Sequence, residues 1–208
     1  MEKLKFPIEL SKQQIFDLWA LTYDWLFPSV FYQAVHQRLL EYVQLPPMPR
    51  ILDLGCGTGR LLSRLAEEIP QLQGTGLDFS TEMLHQARER NRHGLRLNYT
   101  SGSAESLPFA PNEFDGVFCT ISFLHYPRPE VVFAQIYRVL KPGGQFYWVD
   151  STISEYGPDV LKLPVSPGGM TLYNRAARER LGRESGLAVL RHQYLIGSVL
   201  LTIFIKPG

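Results

Sequence analysis

From Arg50 onward, short apolar runs alternate with segments whose apolar residues recur every three or four positions. Arg50–Leu54 reads as a buried strand closed by Gly55. Across Thr58–Glu68, Leu61, Leu62 and Leu65 fall on one side of a helix, and Pro70 follows its end. Leu72–Asp78 predicts a second strand. Ser80–Arg92 predicts the next helix, capped by Ser80, with Met83, Leu84 and Ala87 turned inward. Leu95–Thr100 and Phe114–Thr120 read as further strands and Glu130–Leu140 as a helix. Gln145–Asp150 is a fifth strand after a Pro142-Gly143-Gly144 turn. A looser stretch, Ser151–Gly169, leads to a helix over Met170–Glu184. Two strands follow, Ala188–Tyr194 and Val199–Lys206, and their short link makes them antiparallel.

Strands alternating with helices of this length predict an α/β fold with right-handed crossovers. The architecture is a doubly wound, mostly parallel, seven-stranded Rossmann-like sheet, with helices on both faces and an antiparallel C-terminal hairpin. Residues 1–49 read as helical in two pieces split at Pro28. The 208 residues are expected to form one domain: a helical lid over 1–49, a ligand-binding core over 50–150, and a substrate-side loop, helix and hairpin over 151–208.

The formal charge of +1 gives no long-range attraction for polyanions, so nucleic acid is not expected as a partner. The first ten residues mix charge with apolar groups and lack a secretory core. Val199–Ile205, the longest apolar stretch, is interrupted by Thr202 and is too short to span a bilayer. Cys56 and Cys119, the two cysteines, form neither a disulfide framework nor a zinc pattern. A cytoplasmic protein acting on a small molecule, without metal, is the expectation.

The candidate chemistry lies in Ile51-Leu-Asp-Leu-Gly55-Cys-Gly57-Thr-Gly59, between a predicted strand and a predicted helix. There an open α/β sheet binds ligands, and glycines bring backbone N–H groups close to them. Arg60 stands where a dinucleotide fingerprint needs its third glycine, which disfavours a pyrophosphate, and no GK[ST] follows to make a Walker loop. Asp78 comes 25 residues after Asp53, at the end of the second strand, placed to accept both hydroxyls of a ribose.

These residues resemble the class I S-adenosylmethionine methyltransferases, and within them the branch of ubiquinone and menaquinone C-methyltransferases. ILDLGCGTGRL, GLDFSTEMLHQAR, SAESLPFAPNEFDGVFC and LKPGGQFYWVD follow that family's motifs in order, covering roughly Arg50 to Asp150. The resemblance implies S-adenosyl-L-methionine as cofactor and S-adenosyl-L-homocysteine as product. It implies that Gly55, Cys56 and Gly57 line the methionyl and ribose part, with Asp53 near the ammonium. Asp78 would hold the ribose hydroxyls, and Phe79 and Met83 would flank the adenine. Ala104 would offer its N–H to the adenine edge beside Glu105, and Thr120 would sit near the methionyl end. Ser103 stands where the family usually has Asp, and its hydroxyl can still accept the adenine amino hydrogen bond. Trp19-Ala-Leu-Thr-Tyr23-Asp24 resembles the family's lead-in, in which the Tyr covers the cofactor.

A carbon or phenolate nucleophile would need only placement, whereas a hydroxyl or protonated amine would need a base. His125, after the fourth strand, is the best-placed candidate, beside a purely local hydrogen-bonding role. His36, His85, His93 and His192 are expected away from the cleft. Aromatics crowd the segments that could close the site: Trp19, Tyr23, Trp25, Phe27, Phe31 and Tyr32 before the sheet, Tyr126 after the fourth strand, and Tyr156 and Tyr173 after the fifth. They suit either a sulfonium and a flat apolar acceptor or plain packing. A binding module that never transfers the methyl group, or a nicotinamide-dependent oxidoreductase, would share the glycine loop and the acid.

Overall fold

The computed structural model describes residues 26–164 and 169–208. It opens with helix α1 (Leu26–Leu40) and then alternates: β1 (Arg50–Leu54), α2 (Arg60–Glu68), β2 (Gln73–Asp78), α3 (Thr81–Arg90), β3 (Leu97–Ser101). β4 (Phe114–Thr120), a short turn of 3₁₀ helix (Phe123–His125), α4 (Pro129–Val139) and β5 (Leu140–Ser151) complete the parallel part. Strands β6 (Val160–Leu163) and β7 (Met170–Tyr173), helix α5 (Arg175–Ser185), and strands β8 (Ala188–Ile196) and β9 (Val199–Ile205) follow.

Seven strands form one sheet in the order β3-β2-β1-β4-β5-β9-β8. β1 to β5 pair in parallel, while β9 is antiparallel to both of its neighbours, as the short link after Ile196 requires. The central strands are buried on both faces, which is why they read as unbroken apolar runs rather than alternating ones. One apolar cluster joins α1, α2 and α3 to the sheet through Val35, Leu39, Leu61, Leu65 and Leu84. Another, through Val132, Phe133, Ile136 and Ala177, seats α4 and α5 on the opposite face. Strand order reverses between β1 and β4, so the loops leaving these strands diverge and open a crevice at their carboxyl ends.

Three sequence expectations are corrected. Met170–Glu184 is not one helix. Met170–Tyr173 pairs with Val160–Leu163 as a separate hairpin, and the helix begins after Asn174, whose Oδ1 accepts the N–H of Ala177 at 2.9 Å. The Pro142-Gly143-Gly144 segment lies within β5 as a bulge, and the N–H of Gly143 (φ 77°) donates to Lys206 O. Pro28 is not a break point: it falls in the first turn of α1, where its missing N–H costs no intrahelical bond, and the first helical piece expected before it lies almost wholly outside the described residues. No helix among the described residues is long and apolar enough to cross a membrane, and none of their acidic, His or Cys side chains cluster as a metal site.

Candidate functional site

The glycine loop turns directly from β1 into α2. Gly55, Gly57 and Gly59 have φ of 68°, 52° and 75°, the left-handed region that side chains rarely adopt. The N–H groups of Gly55 and Cys56 donate to Leu77 O at 2.8 and 3.2 Å, so the loop hangs on the end of β2. At the foot of the loop, a Cβ on Gly55 would lie 2.6 Å from Ser122 Oγ, and that hydroxyl donates to Leu54 O at 2.9 Å. Above Gly57, in contrast, only Met83 Sδ comes within 4.0 Å of such a Cβ, which leaves room for a ligand over the backbone.

Asp78 ends β2 and is buried. Its Oδ2 accepts the N–H of Gly57 at 2.8 Å and its Oδ1 that of Ser80 at 2.9 Å. Asp53 is also buried, and burial followed by the nearby charge of Asp78 raises its pKa well above the carboxylate range. Burial likewise raises the thiol of Cys56, whose sulfur fills the space left by Gly76.

Two cavities meet at this loop. The larger, about 340 Å³, runs from Gly55 and Gly57 past Asp78, Phe79 and Met83 to Ser103, Ala104 and Glu105. Thr120, Ile121, Ser122, His125 and Tyr126 form its other side. The smaller, about 40 Å³, holds Asp53, Cys56, Thr58, Arg60, Tyr32 and His36. Gly55, Gly57 and Thr120 line both. The hydroxyl oxygen of Thr120 is buried at this junction with no hydrogen-bond partner among the described residues. A polar atom left so is costly unless a ligand satisfies it.

The expected residues are thus brought together: all twelve on described residues line one cavity or the other. Tyr23, with Trp19 and Trp25, lies outside the described residues. Ser103 Oγ already accepts the N–H of Glu105 at 3.2 Å and keeps a second lone pair for a ligand. Glu105 pairs with Arg128, whose Nε lies 3.0 Å from Oε2.

His36 overturns its expected place. It lies on the buried stripe of α1, Tyr32-Val35-His36-Leu39, and lines the smaller cavity. That spacing was the signal that could have found it. The other three stay outside both cavities: His85 beside Glu89, His93 on Arg96, and His192 between Thr202 and Glu179. Tyr126, one of the aromatics expected to close the site, lines the larger cavity, whereas Ser122 was missed as a lining residue. Burial, and then the neighbouring Cys119, pushes the Tyr126 phenol well up. Ile121 has φ 52°, a strained conformation for a β-branched residue, placed at the cavity wall.

Residues 51–144 match the methyltransferase domain family. An uncharacterised methyltransferase of Synechocystis sp. is 34% identical over 148 residues, 65% of this chain and 67% of that protein. The chain belongs to the class I S-adenosylmethionine-dependent methyltransferases. Within this family it is 34% identical to the ubiquinone/menaquinone biosynthesis C-methyltransferase UbiE of Desulfotalea psychrophila, over 67% of this chain and 58% of that one. The chain spans between half and two thirds of the length of such curated methyltransferases. The fold is shared with the methyltransferase solved in complex with the Trm112 activator of Haloferax volcanii. The TM-score is 0.80 at 22% identity, over 95% of this chain and 98% of that one.

The residues fit the family's cofactor. A buried carboxylate lining the larger cavity, open space over Gly57 and an unsatisfied hydroxyl on Thr120, which lines both cavities, suit an adenosyl group whose amino-acid tail crosses the glycine loop.

Proposed function

We propose that this protein transfers the methyl group of S-adenosylmethionine to a small apolar or aromatic acceptor. The observation that carries the reading is the Asp78 carboxylate. Two backbone N–H groups fix it in the wall of a cleft that shares Gly55, Gly57 and Thr120 with a second, smaller cavity. When bound, the cofactor supplies a methyl group already activated on a sulfonium, so the protein's task is placement and exclusion of water.

In this reading Asp78 accepts the ribose hydroxyls, and Phe79 and Met83 grip the adenine between them. Ser103, the Ala104 N–H and Glu105 read its edge, while Gly55, Cys56, Gly57 and Asp53 take the methionyl end beside Thr120. By the resemblance of its segment to the family's lead-in, Tyr23 would help to cover the cofactor. His125 and Tyr126 wall the cavity on the side of β4, where an acceptor would lie, and His125 would take the proton of a hydroxyl acceptor. Support for a flat apolar acceptor comes from the Tyr126 ring in that wall and from the name of the Desulfotalea psychrophila relative, a quinone-pathway C-methyltransferase.

Calorimetric titration with S-adenosylmethionine, S-adenosylhomocysteine and NAD, with Asp78→Ala as control, tests the cofactor. Micromolar binding of the adenosyl ligands alone, lost in the variant, is expected, followed by methyl transfer to quinols or phenols. Binding of NAD instead would overturn the reading. Adenosyl binding without transfer to any such acceptor would leave a binding module.

A further inference from the structure

The wall of the larger cavity after β4 is one short stretch of chain, and a buried carboxyl stands behind it. Ser122, His125 and Tyr126 line the cavity, whereas Phe123 and Leu124 between them are buried and line neither cavity. As the first residues of the 3₁₀ turn, these two offer N–H groups that the turn itself cannot satisfy. Asp150, near the end of β5, presents its carboxyl to them, and both N–H groups favour its charged form. Its Oδ2 accepts Trp148 Nε1–H at 2.9 Å. Its Oδ1 is buried and closes no hydrogen bond among the described residues, so it remains available to the turn. Bonds that serve catalysis are often long in a free enzyme and tighten when the site fills. Asp150 is 2% exposed and lines neither cavity, so it acts on a ligand only through this turn.

The residues around Asp150 hold it in place. Arg178 of α5, fully buried, donates from Nη2 to Asp150 O at 3.1 Å and from Nη1 to Leu200 O at 2.9 Å. Its guanidinium lies 4.3 Å over the Trp148 ring. Phe123 packs on the same indole with ring centroids 4.3 Å apart, and on Tyr173 at 6.1 Å. At the start of the wall, Ile121, strained at φ 52°, donates its N–H to Val149 O at 2.7 Å. Charged groups buried this deeply are costly beside apolar ones of like volume, and the use best attested for them is to fix a register. We propose that Asp150 is a positioning residue for methyl transfer: by seating the N–H groups of Phe123 and Leu124, it sets where His125 and Tyr126 stand against the acceptor. The proposal rests on the acceptor lying on this side of the cavity, as in the proposed function. It gives the acceptor's half of the site a support of its own, because Asp78 and the glycine loop are tied to the end of β2.

The test compares wild type, Asp150→Ala and Asp150→Asn, with 1,4-naphthoquinol as the acceptor probe. Calorimetry with S-adenosylhomocysteine should change by less than about twofold in either variant, which also reports that the glycine loop is folded. The KM for the quinol should rise on the order of tenfold in Asp150→Ala, the scale of one hydrogen bond to a charged group, with the KM for S-adenosylmethionine unchanged. Amide hydrogen exchange at Phe123 and Leu124, followed by NMR in the ligand-free protein, should quicken by about tenfold. Asp150→Asn keeps one acceptor oxygen, so it should show a smaller change in both readouts, and it decides the matter if Asp150→Ala does not fold. Equal weakening of S-adenosylhomocysteine and of the quinol would show a merely structural role and overturn the proposal. Exchange and quinol KM at the wild-type values in both variants would overturn it as well, with the cofactor reading left standing. A wild type that binds S-adenosylhomocysteine but methylates neither this quinol nor simple phenols removes the acceptor reading, and the positioning role falls with it.

Discussion

The carboxylate of Asp78 accepts the N–H of Gly57 across 2.8 Å, tying the end of β2 to the centre of the glycine loop. With Ser80 N–H on the other oxygen, both lone-pair faces near the loop are committed to structure as well as to a ligand. Asp78→Ala should therefore cost about 1–3 kcal/mol of stability in addition to adenosyl binding, because two donors lose their acceptor. Asp78→Asn should not fully restore it, since its amide nitrogen cannot accept an N–H. Urea unfolding of the three proteins measures this, and an unchanged midpoint in Asp78→Ala would contradict it.

Asp150, near the end of β5, predicts a pH dependence. Burial pushes its pKa up to about 7, against the pull of Arg178, of Trp148 Nε1 at 2.9 Å, and of the backbone N–H groups of Leu124 and Phe123. The fold favours the protonated carboxyl, so this contribution to stability is full below the unfolded value of 3.8 and is lost as pH rises towards about 7. Relative to Asp150→Asn, which keeps an acceptor for Trp148 but never ionises, the wild type should lose up to about 4 kcal/mol between pH 4 and pH 7. Parallel stability curves for the two proteins would refute the titration.

Gly76 lies where a Cβ would meet Cys56 Sγ at 2.7 Å and Tyr99 Cδ1 at 2.8 Å. Overpacking of this kind costs about 1–3 kcal/mol. Gly76→Ala should be destabilised by that amount, and adding Cys56→Ala should recover part of it by removing the sulfur. Additive losses in the double variant would show that the two positions do not share this space.

Burial raises the pKa of both cysteine thiols, first by desolvation and then through the charges of Asp78 at Cys56 and Asp150 at Cys119. Thiolate is the reactive form, so both should resist a disulfide reagent at pH 8 in the folded protein and both should react in denaturant. An adenosyl ligand should slow Cys56 further, because that side chain lines the smaller cavity whereas Cys119 lines neither. A rapidly titrating thiol in the native protein would contradict the burial.

Most of the sheet and the loop chemistry was legible because the signals are local. Short runs such as Ile51–Leu54, closed by glycine and too short for a helix, read as strands buried on both faces, and glycines with an acid one strand later mark a ligand-binding turn. The β6–β7 hairpin was not legible. Val160–Leu163 carries neither a buried run nor a clean alternation, and Met170–Tyr173 blends into the apolar spacing of the helix behind it. The side chain that divides them, Asn174, is a cap that sequence alone could equally place inside a loop. His36 escaped for a different reason. Its helical face could be read, but the element its face would meet depends on how α1 lies against the sheet, and that is tertiary information.

β9 sits between β5 and β8, although it follows every other strand in the chain. During synthesis, β5 must therefore wait with one edge open until residues 199–205 have left the ribosome and slid in beside it. The nascent domain presents Phe146, Trp148 and their neighbours next to an unfilled slot until that moment, an open strand edge of the kind that favours aggregation. The strand that arrives last completes the hydrogen bonding of the one that carries Asp150.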